Sequence, residues 1–186
     1  FAVTDVPNQL IARIAADSKY WLWINDQLVI FEGGLKRGPS PSGTYYDPVD
    51  IAPYLTKGSN TIAILLWHFG KDGFSHINSG KAALLFEAIA PGLEIVSDAS
   101  WQCALYEAYQ NTEAPFPNYR MPESNIRFDA RQAITNWNRT SFEGSLPGAV
   151  CVGKAGKAPF GDLVERPIPQ WKNSGLLSYV SVRESL

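Results

Sequence analysis

Carboxylates are the most plentiful side chains in this chain that could do chemistry. Asp47, Asp50, Asp98, Asp129, Glu143 and Glu165 are spread along it. Two of them facing each other across a bond would supply the acid and base of glycoside hydrolysis. None stands in a motif that fixes such a pair, so turn capping and surface charge account for them. Asp98, in Ser-Asp-Ala-Ser-Trp, is placed to close a turn through its own side chain. The two histidines, His68 and His76, lack the company of cysteines or acids that a zinc site of three or four ligands needs, so no metal centre is expected. His68 ends an apolar run beside Gly70. It is read as a half-buried hydrogen-bonding histidine, with contact to a sugar hydroxyl as the alternative. His76 is read as an ordinary loop residue. No serine nucleophile elbow and no phosphate-cradling glycine motif occur. Gly33-Gly34 is too short for one, and is expected to supply positive φ or close packing. No catalytic residue and no cofactor is therefore assigned.

Aromatic and cationic side chains offer a different chemistry, that of holding a ligand. Trp21, Trp23, Trp67, Trp101, Trp137 and Trp171 could each stack on a sugar ring, but most tryptophans of a small sandwich fill its core. Trp67 and Phe69, beside Gly70, are the first choices for a binding face. Arg37, in Lys36-Arg37-Gly38-Pro39, is placed to present a guanidinium from a loop. Asp129-Ala130-Arg131 is read as a local charge pair that pins a loop, with an arginine fork on a sugar or a neighbouring domain as the alternative. The candidate contact residues are thus Arg37, Trp67, His68, Phe69, Asp129 and Arg131.

The elements that must position these residues are short strands. Leu10 to Ala16 is apolar except for Arg13 and reads as a mostly buried strand. Tyr20, Leu22 and Ile24 point one way and Trp21 and Trp23 the other. Asn25-Asp26 suits a tight turn, and Gln27 to Phe31 returns as the second arm of a hairpin. Glu32 to Ser42, with Gly33, Gly34, Gly38, Pro39 and Pro41, reads as a long loop. Asp50 to Leu55 reads as a short helical turn capped by Asp50. Thr61 to Phe69 is apolar on both faces, which predicts a strand in the interior of a sheet rather than at its edge. Lys71 to Lys81 is a polar loop, Ala82 to Ala90 a strand, Pro91-Gly92 a turn, and Leu93 to Val96 a short strand. Residues 110 to 125, with Pro115, Pro117 and Pro122, read as irregular. Pro159, Pro167 and Pro169 predict an extended segment over the surface, and Leu176 to Val182 a last strand.

With 186 residues, 45% of them apolar and only 18% charged, the chain is long and apolar enough for one folded domain. A net charge of -2 with no basic run gives no footprint for nucleic acid, and no apolar run reaches membrane-spanning length. Cys103 and Cys151 follow no zinc or redox spacing and are read as two separate buried thiols, with a disulfide as the alternative in an exported protein. The chain starts at Phe1-Ala2-Val3 and its one Met is internal, as expected of a mature or cut fragment. Many short strands between Gly/Pro loops, without an amphipathic helix of three turns, predict an all-β sandwich of jelly-roll character. Residues 1–158 are expected to form the sandwich. Residues 159–186 are expected to form an extended connector and a final strand that packs on it or leads to a further domain.

Several of these pieces, in their order, resemble the N-terminal, non-catalytic β-sandwich module of bacterial α-L-rhamnosidases, glycoside hydrolase family 78. The pieces are the Tyr20–Val29 hairpin, Tyr46-Asp47 with Asp50, Leu55 and Gly58-Ser59-Asn60, Ser97-Asp98-Ala99-Ser100-Trp101, Phe128-Asp129-Ala130-Arg131 with Trp137, and Leu163 to Pro169. Asp26 stands where the family often has Gly, and Asn136 where Gly is common before the Trp. The resemblance implies a galactose-binding-domain-like jelly roll, an exported protein, and a parent enzyme that removes terminal L-rhamnose with inversion. It also implies that the catalytic acid and base lie in a separate helical barrel of the same polypeptide. The expected role is an accessory module, either carbohydrate-binding, for a rhamnose-containing glycan, or an interdomain scaffold. A free-standing lectin-like module and a small self-contained glycosidase are the alternatives.

Overall fold

A computed structural model describes residues 1–35, 42–73, 76–112, 125–176 and 178. Two facing sheets carry the fold, which is an all-β sandwich. The larger is built from β2 (Ile11–Asp17), β5 (Thr44–Asp50), β8 (Ala83–Ala90), β9 (Leu93–Val96) and β12 (Leu163–Glu165), in the order β12-β5-β2-β8-β9. The smaller is built from β3 (Lys19–Ile24), β4 (Gln27–Gly34) and β7 (Ile62–Trp67), in the order β4-β3-β7. Two small pairs complete it: β1 (Ala2–Val3) with β6 (Gly58–Ser59), and β10 (Tyr109–Asn111) with β11 (Ile126–Phe128). Ala52–Tyr54 and Ala130–Gln132 are 3-10 turns of three residues, and no helix among the described residues is long and apolar enough to cross a membrane.

The main core lies between the two sheets. Ala12, Ile14 and Ala16 of β2 and Phe86 and Ala88 of β8 meet Tyr20, Leu22 and Ile24 of β3, all almost completely buried. Alternation along β3 sends these three residues inward, as the sequence predicts, and leaves Trp21 and Trp23 half-buried on the other face. The larger sheet is buried on its far side too. There Ala15 and Ala83 pack with Phe160, flanked by Tyr46, Leu85 and Leu163. That second, smaller core explains why β2 reads as a nearly continuous apolar run instead of an alternating one.

The Asn25-Asp26 turn forms as expected, both residues at positive φ (46° and 70°). Beyond it, β4 runs on through Gly34, where the sequence predicts a loop from Glu32 onward. A bulge makes this work. Glu32 takes a φ of 58° and the register against β3 shifts between Tyr20 and Leu22. Gly33 then lies against the Tyr20 ring, where a Cβ would sit 2.3 Å from Tyr20 Cζ. Gly34, at a φ of 86°, passes so close to Ser18 that a Cβ would sit 2.7 Å from its carbonyl oxygen. The glycines that argue against a ladder are the residues that let the strand end against β3.

Other expectations are corrected. The strand from Ile62 to Trp67 is not interior: among the described residues it is the edge of the smaller sheet. On its outward face Trp67 stacks on the Trp21 ring, and every residue of the strand is half-buried. Thr44–Asp50 and Leu163–Glu165 are strands despite Pro48 and the nearby prolines, and they pair in parallel, Leu163 opposite Thr44 and Glu165 opposite Tyr46. Trp101 to Tyr106, after the Ser97–Ser100 turn, holds a single bridge from Gln102 to Gly148. Asp98 does close the turn before it, accepting from Ser100 N–H at 2.8 Å. Cys103 and Cys151 are both free and exposed, because they fall in loops outside either core. Arg37, Pro115, Pro117 and Pro122 lie outside the described residues, as does most of the strand expected over 176–182, of which only Leu176 and Ser178 are described.

Candidate binding face

The outer face of the smaller sheet carries aromatic rings in two rows that start from neighbouring positions on β3. Lys19 pairs with Trp67 and Trp21 with Leu65 across the β3–β7 ladder, which makes Trp21 and Trp67 diagonal neighbours on one face. Their rings lie 6.5 Å apart and within 19° of parallel. The row continues edge-to-face from Trp67 to Phe69 (5.0 Å) and from Phe69 to His76 (5.3 Å). The second row runs from Trp23 to Trp137 (5.2 Å), Tyr106 (6.1 Å), Tyr109 (5.3 Å) and Phe128 (4.9 Å). Asp26 in the hairpin turn secures this row. Its carboxylate accepts from Thr140 N–H at 2.6 Å and from the Thr140 hydroxyl at 3.1 Å, which holds the segment that lays Trp137 on Trp23.

The end of the first row is built around Asp17, the last residue of β2, which is fully buried. One carboxylate oxygen accepts from the Ser18 hydroxyl at 2.8 Å and lies 2.9 Å from His76 Nε2, and the other accepts from Ser79 N–H at 2.6 Å. The Ser18 hydroxyl in turn accepts from Phe69 N–H at 3.0 Å and lies 3.1 Å from His76 Nε2. His68 Nδ1 lies 3.3 Å from the Asp17 carbonyl oxygen and 3.6 Å from its carboxylate. These contacts fit an Nε2–H tautomer at His76. Burial pushes the Asp17 carboxyl up, but the hydrogen bonds from His76, Ser79 and Ser18 outweigh it and hold the group well below the usual carboxylate range. His68, Phe69, His76 and Ser79 are thereby tied to the end of β2, and Phe69 is held against Trp67.

A second buried acid, Asp47 on β5, is built differently. One oxygen accepts from the Tyr20 hydroxyl at 2.8 Å and from Gly34 N–H at 2.9 Å. The other accepts from Arg166 Nε, and the same guanidinium also donates to the Gly34 carbonyl. Arg166 follows β12, its N–H donates to the Tyr46 carbonyl at 2.9 Å, and its guanidinium lies 5.9 Å from the centre of the Tyr45 ring. Burial, and then the Asp47 charge, push the Tyr20 hydroxyl well above its ordinary value, so it stays protonated and donates.

Of the residues singled out in the sequence, Trp67, His68 and Phe69 come together at the Asp17 cluster. Asp129 and Arg131 do not join them. Arg131 donates from Nε and a terminal nitrogen to Asp129 at 2.8 and 2.6 Å, is itself largely exposed, and closes the 3-10 turn that follows Phe128. That pairing holds the Asp129 carboxyl below its ordinary value. His76 corrects its reading as an ordinary loop residue, because it is almost completely buried on Asp17. A polar Asp-Ser pair at the end of an apolar strand is the signal for it: a buried acid there must find donors, and the loop ahead is where they lie.

No family model matches the sequence, and no curated protein matches it. Solved structures do. A rhamnosidase of the GH78 family from Bacillus sp. GL1 is similar over 91% of this chain and 17% of its own, at 29% identity and a TM-score of 0.74. The α-L-rhamnosidase from Dictyoglumus thermophilum is similar over 91% of this chain and 18% of its own, at 19% identity and a TM-score of 0.63. That from Aspergillus terreus is similar over 80% and 18%, at 22% identity and a TM-score of 0.56. The chain spans less than a fifth of the length of these rhamnosidases, and its expected similarity to one part of them is present in three dimensions.

Proposed function

We propose that this chain, similar to one part of a GH78 rhamnosidase, is a non-catalytic accessory module of a larger α-L-rhamnosidase. In this reading the parent is exported and removes terminal L-rhamnose, and its catalytic domain lies elsewhere in the same polypeptide. The observation that carries the reading is the coverage: nearly all of this chain corresponds to a small part of a rhamnosidase, at 29% identity. The commitments of five aspartates support a structural role for them. Asp17 and Asp47 are sealed in the interior by their donors. Asp50 is occupied by the N–H groups of Leu10 and Ala52, Asp98 by Ser100, and Asp129 by Arg131.

Within that module the Trp21–Trp67–Phe69 row is the carbohydrate-facing surface. Half-buried aromatic rings held by a rigid sheet offer flat apolar area at little entropic cost, and the His68 ring at the row's edge adds a polar group. The purified chain should release no rhamnose from an aryl rhamnoside; release would overturn the accessory reading in favour of a self-contained glycosidase. Calorimetric titration with L-rhamnose and with a rhamnose-terminated oligosaccharide should show binding that Trp67→Ala weakens by at least about tenfold, or 1.4 kcal/mol. A flat titration would remove the carbohydrate role and leave the scaffold.

A further inference from the structure

We propose that the arm from Pro167 to Leu176 is a docking strip for an apolar pocket on another domain of the same polypeptide. The inference rests on reading the chain as one piece of a larger protein, but it concerns a different surface from the aromatic face. Ile168 is 63% exposed, Trp171 73%, and Leu176 fully so. Scattered apolar residues are normal on a surface. Three large ones within nine residues of a segment with no core of its own are not, and Trp is the side chain that most often anchors an interface.

The point from which the arm departs is fixed. Phe160 is buried in the second core, and Thr44 donates its hydroxyl to the Phe160 carbonyl at 2.5 Å. The next residues form β12, and Arg166 is inserted beside Asp47. Immediately after that anchor Pro167 and Pro169 fix φ and remove two donors, the chain bends at Pro167–Ile168, and residues 169–176 join no ladder. A strip rigid at its root that exposes Ile168, Trp171 and Leu176 suits a neighbour whose position is set by the chain itself. The matched rhamnosidases hold more than four-fifths of their length outside the region similar to this chain, which makes a further domain of one polypeptide the occupant favoured over a second copy.

Hydrogen exchange compares the full parent polypeptide with the 186-residue chain. Amides of 167–176 should exchange at least about tenfold more slowly in the parent, and Trp171→Ala in the parent should abolish that protection while leaving β2 and β8 as protected as before. Equal exchange in the two proteins overturns the inference. So does dimerisation of the isolated chain that Trp171→Ala abolishes, since the occupant is then a second copy. Rhamnoside hydrolysis by the parent is assayed alongside. A protected arm on an inactive parent keeps this inference and removes the rhamnosidase reading, and an unprotected arm on an active parent does the reverse.

Discussion

Asp17 and Asp47 are both fully buried, both on the larger sheet, and both reach the corner where β3 begins and β4 ends. Their partners differ. Asp47 faces a full positive charge, the Arg166 guanidinium, together with a phenol and a backbone N–H, all carried by or adjoining strands. Asp17 is held by a hydroxyl, an imidazole and a backbone N–H, and two of those three come from the segment between β7 and β8. A guanidinium fork fixes two elements in one geometry. Hydrogen bonds from a loop can be exchanged for others at lower cost. The first arrangement ties the C-terminal segment to the sandwich, and the second holds the Trp67–Phe69 end of the aromatic row.

The sharpest way to break that contrast is to neutralise each acid. Asp47→Asn leaves Arg166 buried without its counter-charge and should lower unfolding free energy by about 3–5 kcal/mol in urea titrations. Asp47→Asn with Arg166→Met should recover part of that loss. Asp17→Asn should cost less, about 1–3 kcal/mol, because the amide still accepts hydrogen bonds. Limited proteolysis should find its new cleavages within 68–81 and not in 159–170. Equal losses from the two substitutions would mean that both clusters are structural in the same way.

A smaller effect separates them by pH. The Asp17 carboxyl is depressed in the folded chain, so the unfolded chain binds the proton first, and the stabilisation it gives is complete above the ordinary value of about 4 and declines as pH falls below it. The stability gap between wild type and Asp17→Asn should therefore narrow from pH 5 toward about pH 2. Tyr20, beside Asp47, is shifted the other way: its contribution is complete below about pH 10, where the unfolded phenol ionises, and declines as pH rises toward its raised folded value. The gap between wild type and Tyr20→Phe should narrow on the alkaline side. A Tyr20→Phe gap that stayed constant well above about pH 10 would contradict the protonated, donating phenol assigned beside Asp47.

Where neighbours in sequence are neighbours in space, the chain can be read directly. Alternation along Lys19–Ile24 and the positive-φ pair Asn25-Asp26 specify the hairpin through local pattern alone. The double-sided apolar run from Ile62 to Trp67 correctly announces a strand. Its place in the sheet is not readable, since a face covered by its own tryptophans has the same composition as a face covered by another sheet. The Asp47–Arg166 pair spans 119 residues and the Asp17–Ser79 bond 62, and no local pattern links their ends. For the same reason Trp67, His68 and Phe69 can be proposed as a cluster from their adjacency, whereas His76 cannot be added to it.

Parallel pairing of β12 with β5 has a mechanical consequence. Arg166 N–H bonds the Tyr46 carbonyl and Thr44 N–H bonds the Asp162 carbonyl, so the short ladder is closed at both ends. Tension applied along β12 from the C-terminal side loads these bonds and the Arg166 contact together, in shear, and does not peel them one at a time. A neighbour swinging on the arm would drag the whole sandwich with it before the strand came free.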